Sequence, residues 1–164
     1  MATNDFILSK EELQKYFEYR DAKLYWKVKG SGILKDECGW LDKLGYRSIG
    51  FKRKTYKAHR LVFLLHHGYL PKCIDHIDGN PLNNAIENLR EAKLIENSWN
   101  QKKRITNTTG VKGVSFAKKS KKYTARCMLD GVSYFLGEFV EINKAKNVLI
   151  EFRNKTQGNF ARHY

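Results

Sequence analysis

Proline and cysteine are both scarce in this chain, with two and three residues respectively. Cys38, Cys73 and Cys127 lie far apart and form no C-x-x-C pair, which argues against a zinc knuckle. Isolated thiols of this kind fit a reducing, cytoplasmic setting. No Pro- or Ser-rich tract argues for wholesale disorder, and 41% apolar residues suffice for a folded core. No apolar run approaches the roughly 18 residues of a membrane span. Met1 to Ser9 lacks a basic n-region and a long apolar stretch, so no secretory signal is expected. Acidic residues are also missing where cations are densest: Gln101 to Arg126 holds nine basic residues and no carboxylate.

The chain carries 31 Lys and Arg against 17 Asp and Glu, a net charge of +14. Distribution matters more than the total, because Tyr69 to Asn97 reverses the balance with three basic and five acidic residues. A polyanion-binding arm therefore adjoins an island of carboxylates. Phe116, Tyr123 and Arg126 interleave aromatic and basic groups in that arm, a composition suited to nucleic acid.

Local signals divide the chain into short elements. Ser9 followed by Glu12 is a capping box, so a helix is expected to about Tyr19. Lys23 to Val28 reads as a strand ending at the Gly30-Ser31-Gly32 turn. Tyr46 to Phe51 and Thr55 to Ala58 read as a hairpin across Lys52-Arg53-Lys54. Ala58, Leu61, Val62 and Leu65 recur at helical spacing, giving a helix over His59 to His67 that Gly68 ends. Cys73 to His76 is then a strand, Ile77 to Glu87 a loop of turn formers, Asn88 to Glu91 a return strand, and Lys93 to about Arg104 a helix. Ile105 to Gly110 reads as a linker. Three alternating segments follow at Val114/Phe116, Tyr123 to Leu129 and Val132 to Leu136, with Asp130-Gly131 as a type I′ turn. Ile142, Ala145, Val148, Leu149 and Phe152 put an apolar stripe on a closing helix.

The richest stretch is Asp75-His76-Ile77-Asp78-Gly79-Asn80, read with Asn88 and Asn97 downstream. With Ala58-His59-Arg60-Leu61-Val62 before it and Glu87-Asn88-Leu89-Arg90 after it, the pattern resembles the HNH family of ββα-metal endonucleases, in its phage and homing branch. Thr108 to Phe160 resembles the AP2 DNA-binding domain, carried by Gly113-Val114-Ser115, Tyr123-Thr124-Ala125-Arg126 and Leu136-Gly137-Glu138-Phe139. Together they imply an α+β chain. Residues 1–105 would be an N-terminal β-rich segment with the ββα-metal nuclease core. Residues 106–164 would be a three-stranded antiparallel sheet with one helix. Many HNH proteins cap the last helix of the motif with threonine where this chain has Lys93.

Phosphodiester hydrolysis requires an activated water, charge stabilisation at phosphate and help for the departing 3′ oxygen. His76 suits the role of general base, since an ordinary imidazole is neutral at working pH. Asp75 and Asn97 supply a carboxylate and an amide oxygen, a hard pair that favours Mg²⁺ or Mn²⁺ over zinc. Asn88 matches the family's middle asparagine, which orients the base. The resemblance also offers Arg60 as a clamp on the scissile phosphate, while His59 matches a family position with a packing role. DNA contacts are expected from Lys102, Lys103, Arg104, Lys112, Lys118, Lys119, Lys121 and Lys122. Alternation turns Thr124, Arg126, Met128 and Ser133 outward on the sheet, where Arg126 could read a guanine edge. The expected activity is metal-dependent cleavage of double-stranded DNA. A monomer would nick, and a homodimer or two successive events would break both strands. A non-catalytic DNA-binding regulator and a structure-directed nuclease are the alternatives.

Overall fold

A computed structural model describes residues 8–27, 37–100, 103 and 106–163. The fold is mixed α+β, with several small antiparallel sheets and four α-helices among the described residues. It divides into two compact units, Met1–Ala92 and Lys93–Tyr164.

The first unit opens with α1 (Lys10–Tyr16), where the Ser9 side chain accepts the Glu12 N–H as the capping box requires. The helix stops short of Tyr19. Phe17 leaves it as the first residue of β1 (Phe17–Arg20), which pairs with β2 (Lys23–Trp26) across the Asp21-Ala22 turn. Burial explains the change. Phe17 is fully inside and packs on Trp26 and Phe51, a tertiary gain that overrides local helix preference. The Gly30-Ser31-Gly32 turn expected after β2 lies outside the described residues, as does Val28.

β3 (Trp40–Leu41), β4 (Arg47–Phe51) and β5 (Lys54–Lys57) form a sheet in the order β3-β4-β5. α2 (Ala58–His67) follows without a break and ends at Gly68, whose φ of 78° provides the left-handed cap. Leu61, Val62, Phe63 and Leu64 on α2 join Leu13, Phe17, Leu24, Ile49 and Phe51 in one core. Each such side chain contributes about 1.5–3 kcal/mol of burial. β6 (Cys73–His76) and β7 (Leu89–Ala92) close the unit as an antiparallel pair, joined by a loop that ends in a 3-10 turn over Ile86–Asn88. All four residues of β6 are buried, polar Asp75 and His76 included.

The second unit begins with α3 (Leu94–Trp99), shorter than the sequence suggests; Arg104 lies outside the described residues. Lysine has no acceptor with which to cap the helix, and Glu96 compensates by accepting the Lys93 N–H at 2.7 Å. The stretch read as a linker is hydrogen-bonded where described. Asn107 and Thr109 side chains hold the carbonyls of Val111 and Val114. β8 (Val114–Ala117), β9 (Lys122–Leu129) and β10 (Val132–Phe139) form a sheet with β9 in the centre, backed by α4 (Ile142–Gln157). Asp130 and Gly131 both take positive φ, as a type I′ turn demands. Val114, Ala125, Cys127, Ala145 and Leu149 are the core. At Gly113 a side chain would meet the Arg126 carbonyl and the Arg153 guanidinium, so only glycine lets β8 start there.

Candidate active site

The β6–β7 register sets Asp75 opposite Arg90 and His76 opposite Leu89. Directly opposed residues share a face, so Arg90 reaches Asp75: Nε and Nη2 both donate to Oδ2, at 2.8 and 2.7 Å. Asp75 is 3% exposed, and burying a carboxyl group so deep is costly unless a charged, hydrogen-bonded partner compensates it. Reading the sequence as strand-loop-strand put both residues on paired segments without assigning Arg90 a part. Counting outward from the loop ends was the signal that could have found it.

His76 sits among rings. His59 meets it edge-on at 5.0 Å between centroids, and Tyr46 lies 6.0 Å from His76 and 5.5 Å from His59. Burial pushes the His76 pKa below the ordinary imidazole range, outweighing the Asn84 hydrogen bond and the Asp78 and Asp75 charges that pull it up. His59 is pushed down to about 3, first by burial and then by repulsion from basic neighbours, His76 (once protonated at low pH), Arg60 and Lys57. Both rings are neutral at working pH. Nε2 of His76 lies 3.1 Å from Oδ1 of Asn84, itself 5% exposed. An amide oxygen can only accept, so this hydrogen bond assigns the proton to Nε2 and leaves the lone pair on Nδ1.

Asn88, expected to orient the base, is engaged elsewhere. Its Oδ1 accepts the Asp78 N–H at 3.0 Å, while Nδ2 donates to Asp78 Oδ1 and to the Asn83 carbonyl. It braces the loop, and the amide that touches the His76 ring belongs to Asn84. Asp78 is the hub of the same brace, accepting also from Asn80 and Asn83. Spacing alone could not rank Asn83, Asn84 and Asn88, which all belong to one turn-rich segment. Arg60 donates through Nη2 to the Pro71 carbonyl at 3.2 Å, tying α2 to the approach of β6. Asn97 lies on α3, in the second unit, with its N–H on the Lys93 carbonyl. No group of three or more His, Cys, Asp or Glu side chains suited to a metal gathers among the described residues.

Comparison with known proteins completes this picture. Residues 56–98 match the HNH endonuclease family, a stretch running from β5 through α3 that contains His59, Arg60, Asp75, His76, Asn88 and Asn97. "Protein 3.8" of Escherichia phage T7 is 43% identical over 88 residues, covering 48% of this chain and 73% of that protein. This chain carries an HNH endonuclease domain. An uncharacterized HNH endonuclease of Acanthamoeba polyphaga mimivirus is 30% identical over 125 residues. That alignment covers 74% of this chain and 64% of the mimivirus protein, so the chain spans less than two thirds of it. No solved structure matches the chain. Such a domain points to a nuclease, with DNA as the implied substrate. No described helix is long and apolar enough to cross a membrane.

The candidate DNA-contact residues belong to the second unit of this HNH protein. Lys102 and Arg104 lie outside the described residues. Lys103 is exposed and donates to the Gly110 carbonyl. Lys112 is half-buried, its ammonium on the Trp99 carbonyl at 2.6 Å, and burial followed by Arg153 and Arg162 lowers its pKa to about 8. That makes it a poorer phosphate contact than the sequence suggests. Lys118, Lys119, Lys121 and Lys122 are exposed around the β8–β9 turn. Tyr123, Ala125 and Cys127 face α4, while Arg126 and Met128 are exposed on the opposite face with Ser133. Thr124, on that outer face too, is buried 3.5 Å from the Glu138 carboxylate. Sequence reading missed Phe135, which is exposed and lies opposite Arg126 with the guanidinium 5.3 Å from its ring.

Proposed function

We propose that this HNH protein is a metal-dependent DNA endonuclease of phage or mobile-element origin, with His76 as general base. The observation that carries the reading is a buried, neutral histidine beside Asp75, with Nε2 committed to Asn84. Nδ1 is then the atom that takes the proton from water as its oxygen attacks the phosphorus in line. Low-pKa imidazole is a suitable acceptor because it stays unprotonated at neutral pH. Arg90 anchors Asp75 through Oδ2, so the carboxylate is oriented before any ligand arrives.

The Asp75 carboxylate would suit a hard divalent ion, Mg²⁺ with Mn²⁺ as substitute, and would suit zinc poorly. When bound, such an ion supplies charge stabilisation at the phosphate and the departing 3′ oxygen. Arg60 is proposed as a phosphate clamp through donors other than the one held by Pro71. The second unit is proposed as an AP2-like addressing domain for double-stranded DNA. Its outward Arg126 and its lysine-rich β8–β9 turn support that reading. Products would carry 5′-phosphate and 3′-hydroxyl ends, one nick per active site.

A supercoiled-plasmid assay with Mg²⁺ and with EDTA tests the activity. His76→Ala is expected to lower single-turnover cleavage about 10²–10⁴-fold while gel-shift affinity stays within a small factor. Cleavage unchanged in EDTA would remove the metal from the proposal. DNA binding without any cleavage would favour a non-catalytic regulator.

A further inference from the structure

The family match begins at residue 56, yet the segment that holds the active-site loop comes from far upstream. Tyr19, in the β1–β2 hairpin, places its hydroxyl between two backbone groups of that loop. It accepts the Ile86 N–H at 3.1 Å and donates towards the Asn84 carbonyl at 3.4 Å. Its ring is held edge-on by His66 of α2 at 4.6 Å, so the hydroxyl is aimed by packing as well as by hydrogen bonds. Asn84 is fixed at the other end too, its N–H bonding to the Leu82 carbonyl and its Oδ1 to Nε2 of His76. Tyr19, Asn84 and His76 form a relay from the N-terminal hairpin to the ring, all within the first unit.

We propose that Tyr19 is a positioning residue of the nuclease site, acting through Asn84 to fix which nitrogen of His76 carries the proton. The inference rests on the nuclease reading above and extends it from Asn84 to Tyr19. A backbone clamp at Asn84 and Ile86 restricts where the Asn84 amide can point. The amide in turn decides whether His76 presents Nδ1 or Nε2 to water. A ring with the wrong nitrogen protonated has its lone pair facing Asn84, where no water can use it.

The test uses the full chain with Mg²⁺ on supercoiled plasmid, alongside ¹⁵N chemical shifts of the His76 imidazole. Wild-type His76 is expected as the Nε2–H tautomer. Asn84→Ala should mix the tautomers and lower the single-turnover rate about 10- to 100-fold with DNA affinity unchanged. Asn84→Asp retains an acceptor oxygen and should recover the larger part of that loss. Tyr19→Phe retains the ring on His66 and should lower the rate about 2- to 10-fold, the equivalent of one ordinary hydrogen bond. Wild-type rates in both Tyr19→Phe and Asn84→Ala, or a wild-type Nδ1–H tautomer, would overturn the proposal. So would a loss in Asn84→Ala that Asn84→Asp does not recover while thermal stability falls in step. A wild-type chain that cleaves nothing refutes the nuclease reading and the functional half of this one. The shifts then still decide whether Asn84 fixes the tautomer.

Discussion

A buried histidine that stays neutral links residue chemistry to stability. The pKa of His59 falls from its ordinary value of 6.5 to about 3 in the folded chain. Between those values the unfolded chain binds a proton that the folded chain refuses. The sign follows from linkage: stability is full above about pH 6.5, declines as pH falls towards 3, and declines no further below. Urea midpoints taken from pH 7 to pH 4 should fall more steeply in the wild type than in His59→Phe, which has nothing to protonate. Equal slopes would mean that His59 titrates normally. Arg90 is the second residue whose removal has a defined consequence. Arg90→Ala strips the guanidinium from Asp75, a carboxylate only 3% exposed, and should destabilise the chain by about 3 kcal/mol. A chemical denaturation curve at pH 7 measures it, and a change under 1 kcal/mol would show that the pair is solvent-compensated.

At the scale of elements, β6 and β7 make only a two-stranded sheet, which has little stability of its own. Its register is kept by the core beneath Ile74 and Leu89 and by the Asp78–Asn88 brace across the loop. The motif's strand-loop-strand pattern was legible because turn formers cluster between two apolar runs. The identity of the asparagine on His76 was not, because side-chain direction inside an irregular loop is set by long-range partners such as Tyr19. The β8–β9 turn is the opposite case, since its lysines are exposed and need no partner to act on phosphate. Alanine at Lys118, Lys119, Lys121 and Lys122 should weaken binding across all sequences. Each lost contact should reduce the log–log salt slope by about 0.9. A slope unchanged in the fourfold variant would place the polyanion contacts elsewhere.

For the whole molecule the informative fact is where the chain divides. Sequence put the boundary after residue 105, at the end of the motif's helix. The structure divides after Ala92, so α3 belongs with the second unit. There it packs on the turn over Gly158–Phe160, and the Arg162 guanidinium holds the Asn100 carbonyl that follows it. A chain ending at Ile105 would retain Asn97 but strip α3 of those partners. It should keep the core of the first unit, bind DNA more weakly with a shallower salt slope, and cleave more slowly than the full chain. Cleavage and gel shifts on the two chains, over a range of salt, check this. Undiminished cleavage would show that α3 is held well enough without the C-terminal turn.

What the sequence determined alone was the chemistry and the periodicity. Asp75-His76 with its spaced asparagines, the helical stripe of α2, the three alternating strands and the type I′ turn at Asp130-Gly131 are local patterns, and local patterns survive without knowledge of the fold. Tertiary structure alone decided the end of α1 at Phe17, the pairing of Asp75 with Arg90, the engagement of His76 by Asn84 and the unit to which α3 belongs. Each of these depends on burial or on a partner distant in sequence. The free energy of burying Phe17, or of compensating a buried carboxylate, is large enough to override what neighbouring residues prefer.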